Sequence, residues 1–191
     1  MKIILASKSP RRVEILKNIG AEFEIIPANA DESVEDGMKP SDAVMEISKR
    51  KALCILEKHN DAFIISADTV VAIDGDIIGK PKNDDHAYSI LKKLSGRCHE
   101  VLTGFTLCTK EKIYCGYVST EVSFRELADE EIYRYIKSGE SSDKAGAYGI
   151  QEKGSVFVTG IKGDYFNVMG LPICEINRIA KEEFGISLTN F

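Results

Sequence analysis

Segments that predict strands alternate with segments that predict helices along this chain, and this order constrains the fold more than any other feature. Short apolar runs bounded by turn residues predict strands, and apolar residues three and four positions apart predict helices. Alternation of the two is typical of α/β proteins, in which helices flank a sheet. The sequence therefore predicts an α/β architecture.

The predicted strands are apolar runs, and they lie at 3–5, 23–26 and 63–65, in two long segments joined around 110–112, and after a glycine-punctuated loop that begins near 143. Five helices are predicted, each beginning at a capping or acidic residue. The first begins at Pro10 and the second covers 41–58. The third is DDHAYSILKKL and ends at Gly96, the fourth is ADEEIYRYIK and ends at Gly139, and the fifth begins at about Pro172, after a turn. After the strand predicted at 63–65, we expect an exit loop at 67–69 and then a hairpin that turns at 74–75.

Composition bounds the class of protein. A chain of 191 residues, 43% hydrophobic and 29% charged, can bury one sizeable core, and its length suits one domain or a pair of tightly joined lobes. We predict a single domain over 1–191. The net charge of -5 argues against a general nucleic-acid binder, and no apolar run is long enough for a membrane span. Five cysteines without a C-x-x-C pair indicate reduced thiols, so we expect a cytoplasmic protein.

Two arginines stand in the first turn of the first predicted helix, within the run IILASKSPRRVEIL. Ser9 suits the N-cap and Pro10 the first helical position, so the helix begins here. The helix dipole disfavours cations at this end by about 0.3 to 1 kcal/mol each. An anion bound between Arg11 and Arg12 therefore explains them better than helix stability does.

Asp68 lies between the apolar run 63–65 and two valines, and so is held against the core. An ionised carboxylate there is destabilising unless it is paired, hydrogen-bonded or bound to a metal. It is either a structural carboxylate, which caps the Thr69 backbone or meets an arginine, or a catalytic one. The residues alone leave both interpretations open.

Three further charged residues have a structural and a functional interpretation. Lys51 falls on the apolar stripe of its helix, where a lysine commonly extends its amine to the edge of the stripe. Lys80 in IIGKP and Glu32 in the acidic loop 27–40 are of types that most often lie on the surface. A lysine is also of the type that binds a phosphate, and a glutamate is also of the type that binds a metal.

The segment DKAGAYGIQ adds two glycines three positions apart and the polar Gln151, which permits close approach of the backbone to a ligand. It lacks the spacing of a P-loop or a dinucleotide fold. With it, the candidate set is four cations and two carboxylates, namely Arg11, Arg12, Lys51, Lys80, Glu32 and Asp68. A triphosphate, a divalent metal and an attacking water require such a set, so the residues indicate phosphoryl chemistry.

Five blocks in fixed order carry a family resemblance. LASKSPRRVEIL, ISADTVVAIDGDIIGKP, LSGRCHEVLTG, DKAGAYGIQ and GDYFNVMGLP are similar to the motifs of the Maf family of nucleoside triphosphate pyrophosphatases. The resemblance implies a two-lobed α/β fold with an elongated, twisted mixed sheet, an active-site cleft between the lobes, and a homodimer. It also implies hydrolysis between the α and β phosphates with Mg²⁺ or Mn²⁺.

The resemblance also implies residue roles. The family's proton acceptor matches Asp68, which together with Glu32 is expected to bind the metal. The residues that match its phosphate-binding positions are Ser7, Arg11, Arg12, Lys51 and Lys80.

Base preference divides the family, and Arg12, Thr69 and Gln151 resemble the branch that cleaves dTTP and UTP. The 7-methyl-GTP branch tends to carry SDQ where this chain has ADT. We therefore expect a dTTP/UTP pyrophosphatase, with modified pyrimidine triphosphates as further candidates. Two alternatives stay open: a nucleotide-binding regulator of cell division or septum formation, and a pyrophosphatase for 7-methyl-GTP or another purine nucleotide.

Overall fold

Strands and helices alternate in the computed structural model, which describes residues 1–35 and 37–189. The strands within these residues are β1 Ile3–Leu5, β2 Glu24–Ile25, β3 Phe63–Ile73, β4 Asp76–Ile78, β5 Cys98–Cys108, β6 Ile113–Phe124 and β7 Val158–Lys162. The helices are α1 Pro10–Asn18, α2 Pro40–Leu56, α3 Asp84–Leu94, α4 Asp129–Lys137, α5 Tyr165–Met169 and α6 Ile173–Phe184. The predicted α/β class is confirmed. Asp36 of the acidic loop, and Asn190 and Phe191 of the predicted domain, lie outside the described residues.

The sheet is mixed, as the resemblance implies. Its strand order is β2-β1-β3-β5-β6-β7, with β4 paired to β3 outside this path. β1 runs parallel to β2 and β3, and the remaining pairs are antiparallel. The hairpin between β3 and β4 turns at Asp74 and Gly75, which have φ angles of 57° and 84°. Two successive positive φ angles are the geometry that an Asp-Gly pair favours, so the predicted turn is confirmed.

β3 overturns one expectation from the sequence. The predicted exit loop at 67–69 is wrong, because β3 continues without a break over 11 residues. Its neighbour β5 pairs with it from Ile64 to Ala72, and Asp68 lies opposite Gly104 within this ladder. The backbone groups of this polar stretch form hydrogen bonds with β5, and this pairing keeps the stretch in the strand. Asp68 therefore stands in the middle of a strand.

The other edge of β3 is open in its middle. β1 pairs with residues 63–65 and β4 with residues 71–73. In the part of the chain that the structure describes, no strand pairs with 66–70 on this edge. Successive side chains of a strand point to opposite faces of the sheet. A ligand that lies against an unpaired edge can contact side chains on both faces. This gap therefore gives a ligand access to neighbouring residues of β3.

Helices cover both faces of the sheet. One face carries α2, which packs on β3 and β5. The other face carries two apolar cores: α1 and α6 pack around Phe63 and Ile65, and α3 and α4 pack around Val71 and Ile73. These cores form two lobes that meet at the middle of β3. None of the helices in residues 1–35 and 37–189 combines the length and apolarity required to cross a bilayer.

Element boundaries differ from the predictions mainly at short elements. The helix predicted over 41–58 is Pro40–Leu56, and the strand predicted over 23–26 is Glu24–Ile25. The sequence predicts a turn before α6, whereas this segment forms the five-residue helix α5. The Asp164 side chain accepts the N–H of Phe166 at its start, and the left-handed Gly170 ends it. One turn and a half of helix is too short for apolar periodicity to show in the sequence.

Candidate active site

All the site residues predicted from the sequence line one cleft of about 800 Å³. The cleft opens at the gap in the edge of β3, between the two lobes. The predicted residues in its walls are Ser7, Arg11, Arg12, Glu32, Lys51, Asp68, Thr69, Lys80 and Gln151. The structure thus brings the whole set together, and the role of each residue stays a prediction.

A lysine joins two carboxylates within the cleft. Lys51 of α2 is buried, with 9% of its surface exposed. Its Nζ donates to Asp68 Oδ1 at 2.7 Å and to Glu32 Oε1 at 2.9 Å. The Lys51 amine therefore lies at the carboxylates and not at the solvent edge of its apolar stripe. Asp68 meets this lysine, whereas an arginine was the structural partner that the sequence suggested.

Gly104 lets α2 lie close enough to the sheet for this contact. It is the partner of Asp68 on β5, and a Cβ there would overlap the carbonyl carbon of Val44 and lie 2.6 Å from Met45 N. Val44 precedes Lys51 by seven residues, which is about two helical turns, so both face the sheet. The absence of a side chain at Gly104 therefore sets the spacing between Lys51 and Asp68.

The loop before α2 holds Glu32 at the cleft. Asp31 accepts the backbone N–H and the hydroxyl of Ser33 at 2.9 and 2.8 Å, and Arg50 of α2 donates to the Ser33 carbonyl at 2.6 Å. These contacts tie the loop to α2. The hydrogen bond from Lys51 lowers the pKa of Glu32, and nearby cations add to the effect. Glu32 is therefore ionised at neutral pH.

Protein acceptors hold the Arg12 side chain. Its Nε donates to Gly170 O at 2.7 Å, its Nη1 to Ala67 O at 2.8 Å and to Ser7 Oγ at 3.2 Å, and its Nη2 to Thr69 Oγ1 at 3.0 Å. A guanidinium has five N–H donors, so one is left for a ligand. The anion explanation for the arginine pair is therefore incomplete, because Arg12 also ties α1 to β3 and to the end of α5.

Arg11 is the more open of the two arginines. Its Nη1 lies 3.9 Å from Asp143 Oδ2, which is a long contact for an ion pair. Ser9 and Pro10 occupy the N-cap and first-turn positions as predicted, but the Ser9 side chain makes no capping hydrogen bond. The first N–H groups of α1 lack intrahelical partners, as in any α-helix. An anion at this helix end would find both these groups and the Arg11 guanidinium.

Lys80 and Gln151 come from two further segments that line the cleft. Lys80 is exposed after β4, and Gln151 is half-buried in the glycine-punctuated loop. The amide of Gly146 donates to the Gly79 carbonyl at 3.2 Å, which joins the two segments. The charge of Lys80 is one of those that lower the pKa of Glu32, across the cleft.

Two residues of the site escaped the sequence reasoning. Lys144 lines the cleft and is buried, and its Nζ donates to Glu140 O at 2.8 Å and to Asp143 Oδ1 at 3.0 Å. The sequence signal for Lys144 is its place in DKAGAYGIQ, near the glycines that allow close approach of a ligand. Thr103 of β5 lies behind the cleft against Thr69, and a threonine within a strand carries no functional signal.

Glu32 and Asp68 are suited to a divalent metal that arrives with a substrate. In the described chain, no group of three or more His, Cys, Asp or Glu residues could hold a metal by itself. Lys51 contacts one oxygen of each carboxylate, namely Glu32 Oε1 and Asp68 Oδ1. The other two oxygens, Glu32 Oε2 and Asp68 Oδ2, are not used by this lysine. Mg²⁺ commonly takes one or two carboxylates and completes its coordination with waters and substrate phosphates. The donor set fits that mode of binding.

Comparison with known proteins gives relatives over nearly the full length. The chain is 47% identical over 189 residues to the dTTP/UTP pyrophosphatase of Bacillus cereus (strain B4264), covering 99% of this chain and 98% of the relative. It is 46% identical over 191 residues to the protein of that name from Clostridioides difficile (strain 630), with 98% of each chain covered. For the one from Aquifex aeolicus (strain VF5), identity is 47% over 182 residues, with 95% of each covered.

A solved structure shares the fold. The HAM1 protein from Coxiella burnetii superposes with a TM-score of 0.51 over 95% of this chain and 99% of its own, at 14% identity. At that identity the likeness concerns the fold alone. The sequence profile described as Maf-like protein matches residues 2–183. With this match and the relatives above, the chain belongs to the Maf family.

Proposed function

We propose that this protein hydrolyses dTTP and UTP between the α and β phosphates, giving dTMP or UMP and pyrophosphate. The observation that carries the proposal is the pair of carboxylates, Glu32 and Asp68, joined through Lys51 in a cleft lined by further cations. Cations alone would bind a triphosphate, whereas hydrolysis also requires a group that accepts a proton from water. The names of the relatives support the same activity and substrates.

The phosphates are proposed to lie between α1 and the segment after β4. Arg11 and Lys80 supply positive charge from opposite sides, and the first turn of α1 supplies backbone N–H groups. The Ser7 hydroxyl accepts the Ser9 N–H and an Arg12 N–H, both at 3.2 Å. Its own proton is therefore left to donate to a phosphate oxygen.

Asp68 is proposed to take the proton of the attacking water. Lys51 holds Oδ1, which leaves Oδ2; one lone pair of this oxygen would bind the metal, and the other accepts the proton. The water oxygen bonds to phosphorus as the bridging P–O bond breaks, and pyrophosphate leaves with the bonding electrons. Negative charge that builds on the leaving group is stabilised by the cations of the cleft. Lys51 keeps the carboxylate oriented and compensates its charge throughout.

Mg²⁺ or Mn²⁺ is proposed as the cofactor, held by Glu32 and Asp68 together with the substrate phosphates. When bound, such an ion neutralises phosphate charge and makes a bound water more acidic. The pairing of both carboxylates with Lys51 keeps them in place before the metal and substrate arrive.

Base selection is proposed for Arg12, Thr69 and Gln151, which line the same cleft. Arg12 Nη2 and Thr69 Oγ1 are hydrogen-bonded to each other at 3.0 Å, so a donor and an acceptor stand side by side. The edges of uracil and thymine present a carbonyl oxygen beside the N3–H group. This donor and acceptor pair complements such an edge, and Gln151 supplies an amide on the opposite segment.

We further propose a single domain over 1–191 that forms a homodimer in the cytoplasm. One sheet carries strands from both lobes, which favours one domain. All five cysteines are free, which suits a reducing compartment. The homodimer rests on the resemblance to the family, and sedimentation equilibrium of the purified protein tests it.

A substrate panel with product identification tests the proposed function. The purified protein is incubated with UTP, dTTP, CTP, ATP, GTP and 7-methyl-GTP in the presence of Mg²⁺ or Mn²⁺, and products are separated by anion exchange. We expect the monophosphate and pyrophosphate in equal amounts, fastest from UTP and dTTP. A preference for 7-methyl-GTP would reject the substrate assignment, and the absence of turnover with every nucleotide would favour a binding protein.

A further inference from the structure

A chain of four polar groups runs from the cleft into the core behind it. Arg12 Nη2 contacts Thr69 Oγ1 at 3.0 Å, Thr69 Oγ1 contacts Thr103 Oγ1 at 2.9 Å, and Thr103 Oγ1 contacts the backbone carbonyl of Asn167 at 2.9 Å. Thr69 and Thr103 are direct partners in the ladder between β3 and β5. Arg12, at one end of this hydrogen-bonded series, lines the cleft, and Asn167, at the other end, lies on α5.

The two ends of this chain fix the direction of every proton in it. A guanidinium donates and never accepts, whereas a carbonyl accepts and never donates. Thr103 has one hydroxyl proton, which it donates to the Asn167 carbonyl. It must therefore accept the Thr69 proton, and Thr69 in turn accepts from Arg12. The Thr69 hydroxyl is left with one lone pair and no proton, so it is an acceptor only.

The terminal acceptor is itself held rigidly. The Asn167 side chain donates from Nδ2 to Val101 O and to Thr120 Oγ1, both at 2.9 Å, which fastens α5 to the sheet. The backbone carbonyl of Asn167 also accepts the Gly170 N–H at 2.9 Å. The carbonyl therefore keeps a partner when Thr103 is changed, and the loss of the Thr103 hydroxyl affects chiefly Thr69.

We propose that Thr103 is a positioning residue for base selection, which keeps Thr69 an acceptor for the N3–H group of uracil or thymine. This inference rests on the proposed function. Thr103 has no exposed surface, so it acts through Thr69 and without contact to the substrate. Cytosine carries an unprotonated N3, which would place two lone pairs against each other at this point. Without the Thr103 hydroxyl, Thr69 turns its proton toward the cleft and donates it in a hydrogen bond to N3 of cytosine.

Thr103→Val tests the inference, because valine has the shape of threonine without the hydroxyl. The measurement is the ratio of kcat/KM for UTP to kcat/KM for CTP, with Mg²⁺. We expect this ratio to fall by about tenfold, which is the effect of one hydrogen bond gained or lost. Thr103→Ser keeps the hydroxyl and should keep the wild-type ratio. Thr103→Ala removes the same hydroxyl and replaces the valine variant if that one does not fold.

Thr106→Val is the matched control. Thr106 is also a buried threonine of β5, and its hydroxyl contacts Ser48 Oγ at 3.0 Å, outside the walls of the cleft. It should lower the melting temperature without changing the ratio. A ratio within twofold of wild type in Thr103→Val or Thr103→Ala, or an equal fall in Thr106→Val, overturns the inference while leaving the proposed function intact. Failure of the wild-type protein to cleave UTP overturns both.

Discussion

Arg12→Ala removes a guanidinium that donates four hydrogen bonds within the protein, to Ser7, Ala67, Thr69 and Gly170. Arg11→Ala, one position earlier in the same helix, removes a side chain whose ion pair with Asp143 is 3.9 Å long. The two variants share the same helix dipole and the same loss of charge. They differ in internal contacts, and each is therefore the control for the other.

The expected loss of stability follows from those contacts. A hydrogen bond to a charged group makes a net contribution of about 1.5 to 3 kcal/mol to folding stability. The four bonds of Arg12 share one half-buried group, and water rehydrates the acceptors left at the cleft, so the total is about 2 to 4 kcal/mol. Relief of the cation at the helix N-terminus returns about 0.3 to 1 kcal/mol. For a chain of this size, the net loss lowers the melting temperature by about 4 to 12 °C.

Arg11→Ala should leave stability unchanged. An exposed ion pair contributes about 0 to 1 kcal/mol, and removal of the cation from the helix N-terminus offsets it by a similar amount. We therefore expect a melting temperature within about 2 °C of wild type. Its kcat/KM for UTP should fall by about 10- to 100-fold, because a charge-assisted contact to phosphate is lost.

Thermal unfolding without nucleotide, followed by circular dichroism, measures the first effect, and steady-state kinetics with UTP measures the second. From the helix dipole alone, both variants would keep or slightly raise the melting temperature, because each removes a cation from the helix N-terminus. The contacts in the structure support that expectation for Arg11→Ala only. Equal melting temperatures for the two variants would refute the internal role of Arg12. A stability loss confined to Arg11→Ala would reverse the assignment.

Three further predictions concern packing, pH and the metal. Gly104→Ala should destabilise the fold by about 3 kcal/mol or more and lower kcat, because the new Cβ overlaps the backbone of α2 at Val44. Urea unfolding measures the stability and UTP turnover measures kcat, and wild-type values of the two would contradict the packing argument. Burial lowers the pKa of His99 to about 4, so the unfolded chain binds more protons than the folded one between about pH 6.5 and 4. Stability should therefore fall by up to about 3 kcal/mol as the pH drops through this window, and His99→Gln should lose that part of the slope in urea unfolding. Chelation with EDTA should abolish UTP cleavage, and added Mg²⁺ or Mn²⁺ should restore it; full activity in EDTA would remove the metal from the mechanism.

Local signals in the sequence predicted much of the fold. The Asp-Gly turn after β3 is specified by two adjacent residues, and the order of strands and helices follows from periodicity within each segment. The polar run around Asp68 misled the strand assignment, because what keeps it extended is the pairing with β5, more than thirty residues later. Local composition does not contain that information.

The membership of the site was predictable, whereas its internal contacts were not. The nine predicted residues of the cleft wall follow from the family motifs and from the chemistry of a triphosphate, whereas Lys144 does not. Arg12, however, bonds to groups 55 and 158 positions away, and the direction of Lys51 depends on how closely α2 approaches Gly104. Thr103 matters through one proton, whose direction is fixed by an arginine and a carbonyl that only the fold brings together.

The most direct test of the proposed reaction is the turnover of Asp68→Asn with UTP, measured together with the ratio of UMP to pyrophosphate formed by the wild-type protein. Asparagine has nearly the shape of aspartate but cannot take a proton from water, so kcat should fall by about 10²- to 10⁴-fold in a variant that still folds. The wild-type protein should form UMP and pyrophosphate in equal amounts. Near-native turnover in a folded Asp68→Asn variant, or UDP and orthophosphate as the main products of the wild type, would contradict the account.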